Sequence, residues 1–196
     1  MDKPRDRSGT ELLYERFSGY QKRVDAWFVE QQKTNEHFTY WSNGEICAQL
    51  GEEGGEFSRE IRNRYGSKPK RLDQLKQTPE DELGDVIYAI CCFANKNKID
   101  IELLSPAEPA LPVTNNPIQH ALRLGYRIGL LQQAIEQLFD HEEPLGDSGT
   151  IKQLLAHILV ELRECAEVTH SDFDQAFEKQ MDKVQGRDRH RFDPKA

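Results

Sequence analysis

Five carboxylates in the first half of the chain have the residue types and spacing best suited to chemistry. Glu52, Glu53 and Glu56 share one helical stretch, and Glu82 and Asp85 form an i/i+3 pair on the next. Both stretches are otherwise apolar enough to be core helices, and acids crowded there repel one another and raise their own pKa values. A hard divalent cation removes that penalty. Magnesium, or manganese, prefers oxygen ligands, and magnesium keeps waters and favours sites shared with phosphates. Facing helices carrying i/i+3 acids are a known way of surrounding a cation. The expected ligands are Glu53, Glu56, Glu82 and Asp85. The metal would offset phosphate charge and help generate a nucleophile from water. Glu52 and Glu53 are the expected catalytic acids, Glu52 as the spare carboxylate that orients or deprotonates the water.

The elements that must position these acids follow from apolar periodicity. Leu13, Phe17, Tyr20, Val24, Trp27 and Phe28 recur at three- and four-residue steps, which predicts a helix from Glu11 to about Gln32. A second runs from about Asn43 to Arg64. On it Glu53 projects only about 20° from Ile46, at the edge of the stripe formed by Ile46, Leu50, Phe57 and Ile61. EExxE on a charged helix is most often a solvated face, and this overlap is what sets Glu53 apart. Thr78 caps a third helix reaching about Lys96, with Pro79 at its first position and Glu80 and Asp81 in its first turn. Pro117 opens a fourth to about Phe139, Thr150 caps a fifth to about Val168, and Ser171 with Asp174 caps a sixth ending near Val184. No strand of useful length is predicted. The expected fold is an all-α bundle of about six helices.

Composition narrows the function classes. The chain has 196 residues, 31% of them charged, with a net charge of −8, which leaves no basic footprint for nucleic acid. No apolar run has the ~18–20 residues of a membrane helix. The N-terminal MDKPRDRSGT lacks the apolar core of a secretion signal. Cys47, Cys91, Cys92 and Cys165 show no CxxC spacing and are expected to be buried free thiols in a reducing cytoplasm. The histidines include no HExxH, so no zinc site is expected. The loop between the second and third helices carries a cationic patch, of which Lys68, Lys70 and Arg71 are candidates for phosphate binding. Trp41, beside Tyr40, is either core or a surface on which a base stacks; Trp27 is a further stacking candidate.

The chain also resembles itself. LGEEGGEFSREI (50–61) aligns with LGYRIGLLQQAI at a shift of 74, and residues 82–102 align with 154–174 at a shift of 72. Identities are few, but helix lengths and apolar periods agree, as in a decayed duplication. The acids do not survive it: Glu53 falls on Arg127, Glu56 on Leu130, Glu82 on Leu154 and Asp85 on His157. The expected organisation is a half with an acidic site (1–104), a proline-rich linker (105–117) and a degenerate half (118–196).

EExxE followed by ExxD, within GEFSREIRNRYGSKPKR, ELGDVIYAICCFAN and a closing IDIE, resembles the MazG-like all-α nucleoside triphosphate pyrophosphohydrolases, relatives of the dimeric dUTPases. The resemblance covers residues 44–102 strongly and the first helix weakly. It implies magnesium bound by the acids and hydrolysis of a (deoxy)nucleoside triphosphate between the α- and β-phosphates, in nucleotide-pool housekeeping. Asn95, in the CFAN stretch, becomes a candidate sugar or base contact. DFDQAFEKQMDKVQGRDRHRF resembles the C-terminal segment of single-domain members, with Lys183, Arg187, Asp188, Arg191 and Phe192 in register. The first half keeps the acids and the second keeps the tail. This complementarity leads to the expectation of one composite site, in which Lys183, Arg187 and Arg191 reach phosphates held at the first half's metals. The chain would be a monomeric pseudo-dimer or a homodimer. The alternative is a helical module that binds nucleotide, or a protein partner, without hydrolysis.

Overall fold

In the computed structural model, residues 9–35, 38–75, 77–104, 114–138 and 144–188 are described. They form six α-helices: α1 (Gly9–Thr34), α2 (Asn43–Tyr65), α3 (Pro79–Lys96), α4 (Pro117–Glu136), α5 (Gly149–Thr169) and α6 (Phe173–Asp188). There is no strand among the described residues, and no helix is long and apolar enough to cross a membrane.

Local chemistry sets most helix ends. Ser42 starts α2 through a capping box in which its hydroxyl accepts from the Glu45 N–H and Glu45 accepts from the Ser42 N–H. Thr78 and Asp81 do the same for α3, with Pro79 next. Four ends differ from expectation. α4 closes at Glu136, short of Phe139, which lies outside the described residues. α5 is capped by Ser148 rather than Thr150, two residues earlier, where Asn97 Oδ1 accepts the Leu145 N–H at 3.1 Å and fixes the incoming chain. At α6 it is Asp172, not Ser171, that accepts the Asp174 and Gln175 N–H groups, at 2.8 and 3.0 Å. The same helix continues past Val184 to Asp188, which makes Arg187 helical.

The two halves share one core. A continuous buried cluster takes side chains from all six helices, among them Phe17, Phe57, Phe93, Leu131, Leu159 and Phe177. α2 packs against both α3 and α4, and α3 against α6, so each helix bearing acids also lies on a helix of the second half. The four cysteines are buried free thiols; burial pushes those of Cys47, Cys92 and Cys165 up to about 12.

Some backbone details recur at the shifts of 74 and 72 residues. The helix-opening caps Ser42 and Asn116 stand 74 residues apart. Lys98 and His170, 72 apart, are the two non-glycine residues with positive φ (55° and 56°) among those described. Each ends its helix in the same pair of bonds: Lys98 to Asn95 O and Ile99 to Ala94 O, His170 to Glu167 O and Ser171 to Ala166 O. Two residues on, Asp100 and Asp172 each accept from the N–H two positions later.

Candidate functional site

The acids converge where α2, α3 and α6 meet. Carboxylate oxygens of Glu53, Glu82 and Asp85 all lie within 4.8 Å of one another. Glu82 and Asp85 come together because i and i+3 share a helix face. Glu53 meets them because α2 packs along α3. α6 closes the third side at Gly84, where an added Cβ would overlap the Ala176 carbonyl.

Each acid is held differently. Glu82 is fully buried, and neither oxygen has a hydrogen-bond partner. Burial first, then the charges of Glu56, Asp85 and Glu53, push its pKa up to about 7. Glu53 is half-buried, accepts from Gln49 Nε2, and is also raised, chiefly by burial and then by Asp85. Asp85 accepts two bonds of 2.9 Å from Lys183 Nζ. Glu56 turns toward Arg59, whose guanidinium it meets at 2.8 Å, while its charge is still felt at Glu82. A buried carboxylate with no donor is costly unless a cation completes it. The all-oxygen set around Glu82 therefore fits a hard divalent ion such as magnesium or manganese.

Glu52 does not join them. Successive helical residues project about 100° apart, and the turn that aims Glu53 at α3 leaves Glu52 exposed. The water-orienting role expected of it has no geometric basis in the described site.

A cleft of about 170 Å³ opens beside the acids, lined by Trp41, Gln49, Glu53, Asp85, Lys183 and Arg187 among others. It joins a narrower aromatic recess through shared walls at Trp41, Ile46, Tyr88, Cys92 and Arg187. Trp27, Phe28, Phe38 and Tyr40 line the recess beyond. Tyr40 stacks on Phe28 with ring centroids 3.8 Å apart, and Trp27 packs edge-on against Phe28 and Phe38, so both belong to the core as well. Trp41 is 43% exposed and carries the open face.

The cationic loop stays apart. Lys68, Lys70 and Arg71 are exposed, none lines either cavity, and Arg71 pairs with Asp73 at 3.2 Å. Tyr65, where α2 ends, is roughly 14 Å along the axis from Glu56 at ~1.5 Å per residue, which carries the loop away from the acids. Asn95 lines neither cavity: its Nδ2 donates to Gln21 O at 3.1 Å, tying α3 to α1, and its side chain also hydrogen-bonds Tyr40 of the recess. Arg191 lies outside the described residues. Gln49 and Gln180 line the cleft unannounced by any motif. The only signal for them was helical register, one turn before Glu53 and one before Lys183.

No protein-family model matches the chain, and no solved structure matches it. It is similar to an uncharacterized protein of Bacillus subtilis (strain 168), YpjD, at 41% identity over 63 residues, 32% of this chain and 57% of that protein. The chain thus spans little more than half the length of the curated relative it matches.

Proposed function

We propose that this protein is a magnesium-dependent nucleoside triphosphate pyrophosphohydrolase built from two MazG-like halves in one chain. The observation that carries the reading is Glu82, buried with both oxygens unpartnered among Glu53, Asp85 and Glu56, beside a cleft that Lys183 and Arg187 also line. Anionic ligands with cationic side chains beside them suit a metal-bound polyphosphate. The matching helix caps at shifts of 74 and 72 support the paired halves.

In this reading Glu53, Glu82 and Asp85 hold the ion, with Glu56 beside them. The ion supplies charge neutralisation at the phosphates and lowers the pKa of water. Lys183 leaves Asp85 for a phosphate oxygen, and Arg187 clamps a neighbouring one. Glu53, on the cleft side of the cluster, takes the proton of the attacking water. The water oxygen forms a bond to phosphorus as the α–β anhydride bond breaks, giving monophosphate and pyrophosphate. Trp41 and the recess behind it receive the base.

The test is pyrophosphate release from a panel of ribo- and deoxyribonucleoside triphosphates, with magnesium and with chelator. Metal-dependent release from at least one is expected; none from any would overturn the enzyme reading. One observation favours binding without hydrolysis: Glu52, the acid that only a hydrolase needs, stands exposed outside the cluster. Tight nucleotide binding with no pyrophosphate release would establish that alternative.

A further inference from the structure

The second half has a cleft of its own, of about 460 Å³, lined by Thr114, Asn115, His120, Arg163 and Glu164 among others. It lies where the repeat would put a copy of the first. At a shift of 74, Tyr40, Trp41 and Ile46 become Thr114, Asn115 and His120; at 72, Ala89 and Cys92 become Glu161 and Glu164. All five first-half residues line the acidic cleft or the recess joined to it. The counterpart cleft is therefore re-lined rather than lost, with apolar walls replaced by histidine and carboxylates.

Those replacements form a nitrogen–oxygen donor set. Ligand atoms of His120, Glu161 and Glu164 lie within 4.8 Å of one another, and all three residues are buried. Bonds of ~2.0 Å to one ion would draw the three atoms to within ~4 Å of one another, a closure of about 1 Å. His120 Nε2 lies 2.8 Å from the Thr114 carbonyl, which can only accept, so this nitrogen carries the hydrogen. The other, Nδ1, faces Glu161 Oε1 at 2.6 Å, a hydrogen bond whose proton a metal ion would displace. A backbone carbonyl fixing the far nitrogen is also the usual outer-shell support of a metal-binding histidine. Glu164, only 7% exposed, lines the cleft and accepts no hydrogen bond among the described residues. Two arginines stand near without saturating the acids: Arg127 Nε is 3.9 Å from Glu161 and Arg163 is 3.6 Å from Glu164. Both Nε atoms are buried without a hydrogen bond, and Arg163 Nε lies 3.6 Å from Glu167.

We propose that His120, Glu161 and Glu164 bind a first-row divalent ion of the zinc type, with the fourth position open to this cleft. Imidazole beside carboxylates selects such ions over magnesium, and three protein ligands leave room for water or an incoming ligand. The site is chemically distinct from the all-oxygen cluster, and the proposal stands whether or not the first site hydrolyses nucleotides.

Zinc bound per full-length chain, measured by equilibrium dialysis in excess magnesium, tests it. Glu164→Gln, which spares the His120–Glu161 contact, should bind one equivalent less than wild type. The Glu53→Gln/Asp85→Asn double variant should retain that equivalent. In histidine-labelled wild type, zinc should shift the ring nitrogen resonances of His120, a reading that stands even if the variant fails to fold. Unmoved His120 resonances, or equal zinc in wild type and folded Glu164→Gln, would overturn the proposal and leave a proton in the 2.6 Å contact.

Discussion

Glu82 and Lys183 carry the consequences that belong to single residues. The Glu82 carboxyl, raised to about 7 by burial and its acidic neighbours, holds a proton in the folded metal-free protein that the unfolded chain gives up near 4.5. The folded state thus binds the extra proton between these values, so stability is full below the lower one and falls as pH rises toward 7. Thermal unfolding in chelator should occur at a lower temperature at pH 8 than at pH 5.5. Glu82→Gln should flatten the slope, and saturating magnesium should remove it. Lys183 neutralises Asp85 while no metal does, through two bonds of 2.9 Å on a half-exposed side chain. Lys183→Gln should therefore raise the magnesium affinity of the nucleotide-free protein several-fold, within the ~1 kcal/mol scale of exposed pairs. The same change should lower turnover by about 10–100-fold through the lost phosphate contact, as titration calorimetry and steady-state rates would show. Opposite signs on metal and nucleotide are the diagnostic feature.

At the scale of elements, close helix approach decides where these residues meet. Gly84 lies between Glu82 and Asp85, and a Cβ there would overlap the Ala176 carbonyl of α6 and crowd Gln180 Cβ. Gly84→Ala should cost about 1–3 kcal/mol in urea unfolding. It should also lower activity, since moving α6 outward takes Lys183 from Asp85. The glycine pair on α2 divides in two. Gly54 faces Ile128 of α4, while Gly55 has nothing within 4 Å. Gly55→Ala should accordingly stabilise the protein by about 0.5–1 kcal/mol, read as a higher urea midpoint. The cap of α3 was legible in T-P-x-D, because cap chemistry lies within four residues. The start of α5 was not, since two cap-competent residues stand there and a hydrogen bond to Asn97, 48 positions earlier, chooses between them.

For the whole molecule, the second half supplies a wall of the first half's site. α6 brings Lys183, Arg187 and Gln180 to the cleft beside Glu53 and Asp85. Truncation after residue 182 should therefore abolish pyrophosphate release while magnesium still binds, and unchanged turnover would sink the composite site. Val184 is fully buried, so the Lys183→Gln/Arg187→Gln pair, which keeps the helix, separates loss of contact from loss of packing.

By itself the sequence determined the helices and the identity of the acids. Apolar period, cap residues and i/i+3 spacing act over one or two turns, so a linear reading contains them. Tertiary structure decided which charged groups meet. Glu53 and Glu52 are neighbours in sequence but about 100° apart in projection, and only the packing of α2 on α3 aims one of them inward. Lys68, Lys70 and Arg71 form a denser basic run than α6 does, yet the end of α2 carries them away while α6 returns Lys183 over α3. His120 and the Glu161–Glu164 pair, 41 positions apart at the nearest, met no spacing rule, and the packing of α4 on α5 joined them. Of the acidic stretch that dominates the sequence, three carboxylates form the cluster, and a lysine from the far end of the chain completes it.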